Sequence, residues 1–491
     1  MSVADTSVRS PGLGIEANGI NVIDESERRG TPAQLFWPWC ASNVSVLAVS
    51  YGSFVLGFGL SLGQALVAAV VGAVVSFLLV GLVSIAGKRG SAPTLVLSRA
   101  AFGRHGNTLP GAVSYLLLVG WETVLVSLAT FATATVFGRL GWGDGNLTKV
   151  VAFLVVAAVI VAAGILGFHA IMTLQKWLTV AMIAVTLLYI VLTADHVSLS
   201  AAGALKSGGV TAVLGATILV MTGFGVGWVN SAADYSRYLP RTASTAGVVG
   251  WPTFGGSLPV VILVAYGVLL CASDEKLSQA VALDPIGALT TILPTWFLVP
   301  FALVAIGGLV SGAVLDIYSS GLTLLTLGLR TPRWVAAGID GVLMVLGTIY
   351  IVWVADSFLD VFMAFLIILG VPMSAWCGVF LADLMLRRRD YDETKLFDST
   401  ASGYGSVNVV AVAVMAVATL VGWGLVIDTT GAGRGLSWLG FLLGPLGLGG
   451  REGPWAYANL GVPVALALGF VGYAATQAGA VRRQEESTPA R

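Results

Sequence analysis

Thr222-Gly223-Phe224-Gly225-Val226-Gly227-Trp228 lies near the end of an apolar run, residues 209-233, that is long enough to cross a bilayer. Three glycines in seven residues argue against a continuous helix there, because each weakens a helix interior by about 1 kcal/mol relative to alanine. An unwound stretch accounts for them. A second apolar run, residues 36-60, carries a glycine interruption of its own, with Gly52 as the expected break. Unwound backbone at membrane depth is tolerated only where it is buried in protein or lines a cavity. Paired discontinuous helices in equivalent positions of two halves mark the substrate and ion sites of secondary transporters.

The composition fits that reading. The 491 residues are 57% hydrophobic and 10% charged, with a mean hydropathy of +0.90, the values of a chain that mostly faces lipid. Hydrophobic runs joined by short polar links predict one polytopic bundle of twelve spans: 36-60, 64-86, 110-138, 149-167, 171-194, 209-233, 247-272, 294-329, 334-353, 357-386, 407-427 and 456-480. With the amino terminus inside and the spans alternating, the inner segments hold 19 of the 25 Lys and Arg. The outer ones hold Arg139, Lys149, Lys206, Lys276, Arg434 and Arg451. Inserting or deleting one span would scramble this partition, so the positive-inside bias supports an even count with both termini cytoplasmic.

Several function classes find no support. A net charge of zero gives no footprint for nucleic acid, and the short Arg and Lys clusters read as topology signals. Cys40, Cys271 and Cys377 have no metal-ligand spacing, and His105, His169 and His196 are scattered at or near loops, so neither a metal site nor a catalytic constellation is expected. Gly223-x-Gly225-x-Gly227 is no dinucleotide fingerprint, since no strand precedes it and the last spacing is wrong. A passive channel would need pore-lining rings of charge or carbonyls, and none is visible. Residues 1-35 read as a disordered cytoplasmic tail without a removable leader. Residues 387-406 read as a cytoplasmic linker, 429-455 as a long outer loop and 481-491 as a second tail.

Five stretches in order carry a resemblance: Trp39-Cys40-Ala41-Ser42-Asn43 in span 1, Leu97-Ser98-Arg99-Ala100-Ala101-Phe102-Gly103 after span 2, Gly120-Trp121-Glu122-Thr123 in span 3, Gly227-Trp228 with Ala233-Asp234-Tyr235-Ser236-Arg237-Tyr238-Leu239-Pro240 ending span 6, and Ala375-Trp376-Cys377-Gly378-Val379-Phe380-Leu381-Ala382-Asp383 in span 10. Together they resemble the nucleobase-cation symporter family, in its purine-cytosine permease branch. The resemblance implies an all-α integral membrane protein of twelve transmembrane helices. Its transport core, 36-386, would be two inverted five-helix repeats with discontinuous helices 1 and 6, and 407-480 would be two accessory helices. Substrate would lie between spans 1, 3, 6 and 8.

Trp121 and Trp228 sit well inside their spans, whereas most membrane tryptophans anchor at the interfaces. An indole face stacks on a flat heteroaromatic ring, and the resemblance places a stacking tryptophan at each position. The bland alternative is two packing aromatics. Glu122 lies deep in span 3, where a carboxylate costs a few kcal/mol unless paired or facing water. It serves as a hydrogen-bond acceptor for substrate, as a carrier of a coupling proton, or as a structural partner of a neighbouring helix. The family often has an amide four residues after the tryptophan, and Leu125 stands there. Asp316 stands where the family commonly has asparagine, and an ionised acid only accepts hydrogen bonds while a protonated one also donates. Ser50 and Gly52 in span 1 and Asn230 after Trp228 are further candidates for touching substrate.

For the coupling cation, the family's sodium-dependent members use carbonyls of span 1 with carbonyl and hydroxyl oxygens of span 8. Here Gly307 and Ser311 fit that register, but Val310 replaces the expected second hydroxyl. With a ligand missing and Glu122 and Asp316 nearby, proton coupling is the expectation and sodium the alternative, with no organic cofactor, no metal and no obligate protein partner. The expected activity is import of a planar nucleobase-like solute, cytosine or a purine, across the plasma membrane rather than an enzymatic reaction. Allantoin or a hydantoin, and hydroxymethylpyrimidine or thiamine, are the alternative cargoes.

Overall fold

The apolar runs do become helices, because a backbone in lipid must satisfy its polar groups within its own segment. A computed structural model of the chain describes residue 16 and residues 18–400, 403–428 and 436–486, and every regular element among them is helical. Span 1 comprises Phe36–Ala41 and Val46–Leu56, span 2 Leu62–Gly90, span 3 Thr108–Arg139, span 4 Asn146–Leu166 and span 5 Phe168–Thr193. Span 6 comprises Val210–Gly223, Gly225–Trp228 and Ala232–Ser236. Spans 7 to 10 are Thr245–Ser273, Leu298–Thr326, Arg333–Trp353 and Phe358–Leu386; spans 11 and 12 are Val409–Trp423 and Gly461–Glu486. Among the described residues, ten helices are long and apolar enough to cross a membrane by themselves. The two halves of span 1 add an eleventh, and Val409–Trp423 is a shorter apolar helix.

Local chemistry sets the ends of these elements. Ser61 caps span 2, accepting from Gln64 N while the Gln64 side chain returns to Ser61 N, a reciprocal pair that satisfies donors left open at a helix start. Ser244, Ser357 and Asn408 cap spans 7, 10 and 11 by accepting from the backbone N of Gly247, Asp360 and Ala411. Between spans 4 and 5 the chain reverses on Gly167 alone, at φ +91, a conformation open to glycine and strained for other residues.

Spans 2 and 7 pack along one another, as do spans 3 and 8, and each pair is five spans apart. The broken elements, spans 1 and 6, are likewise five apart, which is the correspondence expected of two five-helix repeats. Valines and leucines such as Val67, Val71, Val151, Leu154 and Val155 stay exposed on spans 2 and 4, where lipid rather than water is their solvent.

The expected break at Gly52 is corrected. Gly52 lies within the continuous helix Val46–Leu56, and the break of span 1 falls at residues 42–45, where the two halves bend by 68°. Gly52 is needed for packing instead. A Cβ on it would lie 2.0 Å from the Gly267 carbonyl carbon, and one on Gly267 would lie 1.8 Å from the Val49 oxygen, so the backbones of spans 1 and 7 touch. Small residues permit such contact between membrane helices. Gly52→Val is therefore expected to destabilise the protein by about 1–3 kcal/mol through overpacking. The check is thermal unfolding in detergent, and an unchanged midpoint would show that the contact can relax.

The expected disordered tail is also corrected over its described part; residues 1–15 and 17 lie outside the described set. Ile23 is fully buried and its N–H donates to Ser91 O over 2.8 Å. Arg28 Nε donates to Ile23 O. The Glu16 carboxylate lies 3.3 Å from Arg237 and 3.4 Å from Arg333. The segment is held because its acid and apolar side chains meet the arginine-rich end of the bundle. Of the expected outer loop, residues 429–435 lie outside the described set, while Leu439 and Leu443 turn inward.

Candidate functional site

Span 1 unwinds after Ala41 because its own side chains take over the backbone bonding. Asn43 Nδ2 donates to Trp39 O over 2.8 Å and Ser42 Oγ donates to the same oxygen over 3.3 Å. Ser45, in extended conformation, then caps the second half by accepting from Leu47 N. Span 6 breaks at Phe224, whose backbone (φ −129, ψ −101) is not helical. Its three glycines answer three close neighbours: a Cβ at Gly223 would meet the Tyr51 hydroxyl at 2.0 Å, at Gly225 the Ser76 backbone at 2.4 Å, and at Gly227 the Trp121 Nε1 at 2.9 Å.

The third of those contacts brings the two deep tryptophans to one place. Trp121 Nε1 abuts Gly227, the residue before Trp228, and this indole nitrogen has no hydrogen-bond partner. Trp121 is fixed edge-on by Phe362 and Phe365 of span 10, at 5.5 and 5.8 Å between centroids. Trp228 is fixed by Trp39 of span 1, at 5.7 Å. The indoles do not pair with one another among the described ring contacts. They are 8% and 9% exposed, so both are buried among spans 1, 3, 6 and 10.

The other candidates separate into different places. Asn230 reaches from span 6 to span 3, where its Nδ2 donates to Ser114 Oγ over 2.7 Å and its Oδ1 is unpartnered. Ser50 donates to the Pro285 carbonyl and thereby ties span 1 to the loop before span 8. Leu125 packs on Gly312, close to the Ser42 carbonyl of the span 1 break. Gly307 turns toward Met182 of span 5, and it is Gly308 that lies against the Val44 carbonyl. Ser311 Oγ donates to Gln175 Oε1, and Gln175 Nε2 returns a bond to Ser311 O over 2.9 Å. An amide side chain of span 5 thus engages both oxygens of Ser311.

Glu122 and Asp316 are buried, at 0% and 1% exposed. Glu122 Oε1 accepts from Ser320 Oγ over 2.9 Å, Glu122 Oε2 has no partner, and neither oxygen of Asp316 has one. Asp340 of span 9 completes the group, its Oδ2 in contact with the same Ser320 Oγ. Sequence reasoning missed Asp340 and Gln175. The depth argument that singled out Glu122 applies equally to Asp340, an acid seven residues into an apolar helix; a lone glutamine in span 5 carries no comparable signal. Asp383 and Arg387, at the end of span 10, form a two-point pair at 2.6 and 2.8 Å supported by Tyr473, which ties span 10 to span 12.

Comparison with known proteins agrees with this architecture. A putative purine-cytosine permease of Bacillus subtilis (strain 168) is 24% identical over 417 residues, 80% of this chain and 84% of that protein. A purine-cytosine permease of Saccharomyces cerevisiae (strain ATCC 204508 / S288c) is 24% identical over 244 residues, 47% of this chain and 43% of its own. The solved structure of Mhp1, a nucleobase-cation-symport-1 family transporter in a closed conformation with bromovinylhydantoin bound, superposes with a TM-score of 0.71 at 19% identity. It covers 97% of this chain and 100% of that one, and it shares the fold. The family model described as permease for cytosine/purines, uracil, thiamine, allantoin matches residues 22–442. The chain is a multi-pass membrane protein that belongs to this permease family.

Proposed function

We propose that the protein imports a planar nucleobase-like ring, cytosine or a purine, in symport with protons across the plasma membrane, with both termini in the cytoplasm. The observation that carries the cargo is the meeting of Trp121, Gly227 and Trp228 beside the break of span 6, where two indoles held by other rings lie next to non-helical backbone. The names of the related permeases point to the same chemistry. Leu125, in contact with Gly312, offers no hydrogen bond to a base edge, which favours as a second reading a ring read from fewer sides, such as allantoin or a hydantoin.

Proton coupling draws support from two features. Gln175 already engages the oxygens that Ser311 would turn to a sodium ion. Among the described residues no Lys, Arg or His pairs with Glu122 or Asp316, so protonation would relieve the cost of these buried charges.

Uptake of labelled cytosine into proteoliposomes, with unlabelled purines, uracil, allantoin and thiamine as competitors, tests cargo and coupling together. Accumulation is expected to need an inward proton gradient, to collapse with a protonophore and to persist when sodium is replaced by choline. Glu122→Gln is expected to bring accumulation to equilibrium while exchange continues, because the amide mimics one protonation state and cannot cycle. Asp316→Asn is expected to shift the order of competitors. Strict sodium dependence without response to a pH gradient would overturn the coupling.

A further inference from the structure

Ser320 has one hydroxyl hydrogen and two carboxylates to serve. Its Oγ is 2.9 Å from Glu122 Oε1 and is also in contact with Asp340 Oδ2. A serine donates a single hydrogen bond and otherwise accepts, whereas an ionised carboxylate only accepts. Two ionised acids cannot both be bonded to this oxygen. One contact must run from a protonated carboxyl into Ser320 Oγ, while the serine hydrogen goes to the other acid.

The surroundings give that proton no competitor. Asp316, one turn before Ser320, faces both Glu122 and Asp340 with two unpartnered, buried oxygens. Tyr115 of span 3 lies beside Asp340, and its hydroxyl satisfies no other group. Span 4 packs on spans 8 and 9 and presents Gly164 and Val161 there; its one titratable residue, Lys149, lies at the far end against Phe131. Arg333, at the base of span 9, points away to the Gly164 and Ile165 carbonyls and Glu16. No group of three acids, histidines or cysteines among the described residues has the arrangement of a metal site.

A cavity lies at one end of these three spans. Its volume is about 600 Å³, and it opens at the arginine-rich end, where span 3 begins at Thr108, span 8 ends at Thr326 and span 9 begins at Arg333. Tyr115 and Asp340 each lie seven residues along from that end, about 10 Å at 1.5 Å per residue.

We propose that the coupling proton is held between Glu122 and Asp340 across the Ser320 hydroxyl, with Asp316 as the adjoining acceptor, and that it leaves past Tyr115 into the arginine-lined cavity. The assignment rests on the proton-coupled reading above and moves the proton site from the substrate pocket to the interface of spans 3, 8 and 9. When loaded, one carboxyl O–H of the pair donates to Ser320 Oγ. When the proton departs to water, two ionised carboxylates share one hydroxyl hydrogen, and their repulsion in a medium of low dielectric pushes span 9 from span 3. Glu122 follows Trp121, so a shift of span 3 reaches the indole that abuts Gly227. Asp340 acts through Glu122 and is a positioning and proton-sharing residue, not one that touches substrate.

Infrared spectroscopy of the intact protein in liposomes reads the proton without any substrate. The unsubstituted protein is expected to show the C=O stretch of a protonated carboxyl near neutral pH, shifted in heavy water, and both Asp340→Asn and Glu122→Gln should remove it. In labelled-cytosine assays Asp340→Asn should lose uphill accumulation, with the ratio of internal to external substrate falling to about one. Ser320→Ala, which deletes only the bridge, should alter the pH at which the band titrates. A carboxyl band and uphill uptake both retained in Asp340→Asn would overturn the inference. Failure of the coupling reading shows elsewhere, as sodium-driven uptake by the unsubstituted protein.

Discussion

Replacing Trp121 or Trp228 by alanine is expected to weaken cargo binding by about 1–3 kcal/mol, a roughly 5- to 150-fold rise in Kd, with phenylalanine retaining part of the affinity. Both indoles are held before substrate arrives. Phe362 and Phe365 grip Trp121 edge-on, and Trp39, itself packed against Tyr235 at 5.4 Å, grips Trp228. A ring held in place loses little freedom on stacking, so more of the stacking energy appears as affinity. Titration with labelled cytosine, with the unfolding temperature measured beside it, separates this from packing. Unchanged affinity with a lowered unfolding temperature would make these tryptophans core residues and nothing more.

The span count and the break of span 6 were legible because each has a strong physical signature. Long apolar runs have one stable form in lipid, and three glycines in seven residues leave a helix little reason to continue. The break of span 1 was misplaced for a related reason: Gly52 looked like a helix breaker, yet a glycine in a membrane helix also serves close approach, and only the position of Gly267 decides between the two. The actual break is made by Ser42, Asn43 and Ser45, polar residues whose capping role depends on which backbone groups they reach. Glu122 drew notice by its depth, and Asp316 by standing where the family resemblance places asparagine. Their relation to one another was not legible, because it runs through Ser320 and Asp340 of neighbouring helices, and no one-dimensional spacing records that spans 3, 8 and 9 meet there. The same holds for Glu16, whose partners Arg237 and Arg333 are more than two hundred residues away in sequence.

Gly225→Leu is expected to reduce transport to background, and even Gly225→Ala to reduce it by tenfold or more. The three glycines of span 6 differ in what confronts them. At Gly223 and Gly227 an added methyl meets a side chain, the Tyr51 hydroxyl or the Trp121 indole nitrogen, and not a backbone. At Gly225 it meets the carbonyl carbon of Ser76 at 2.4 Å, with the Ser76 side chain at 2.5 Å, so relief requires moving span 2 as a backbone. Restoring ordinary carbon contact at about 3.5–4.0 Å displaces the Gly225–Trp228 turn by more than about 1 Å. That turn carries Trp228, and misplacing a binding group by this distance is enough to lose a productive geometry. Gly227→Ala, by contrast, presses on the indole of Trp121 and should raise the substrate KM while leaving the maximal rate near its original value. Uptake of labelled cytosine, normalised to protein that elutes as a single species in size-exclusion chromatography, checks both. Normal transport by Gly225→Ala would mean that spans 2 and 6 separate freely during the cycle, and the break would then be a hinge whose contacts are made and broken rather than a fixed wall of the site.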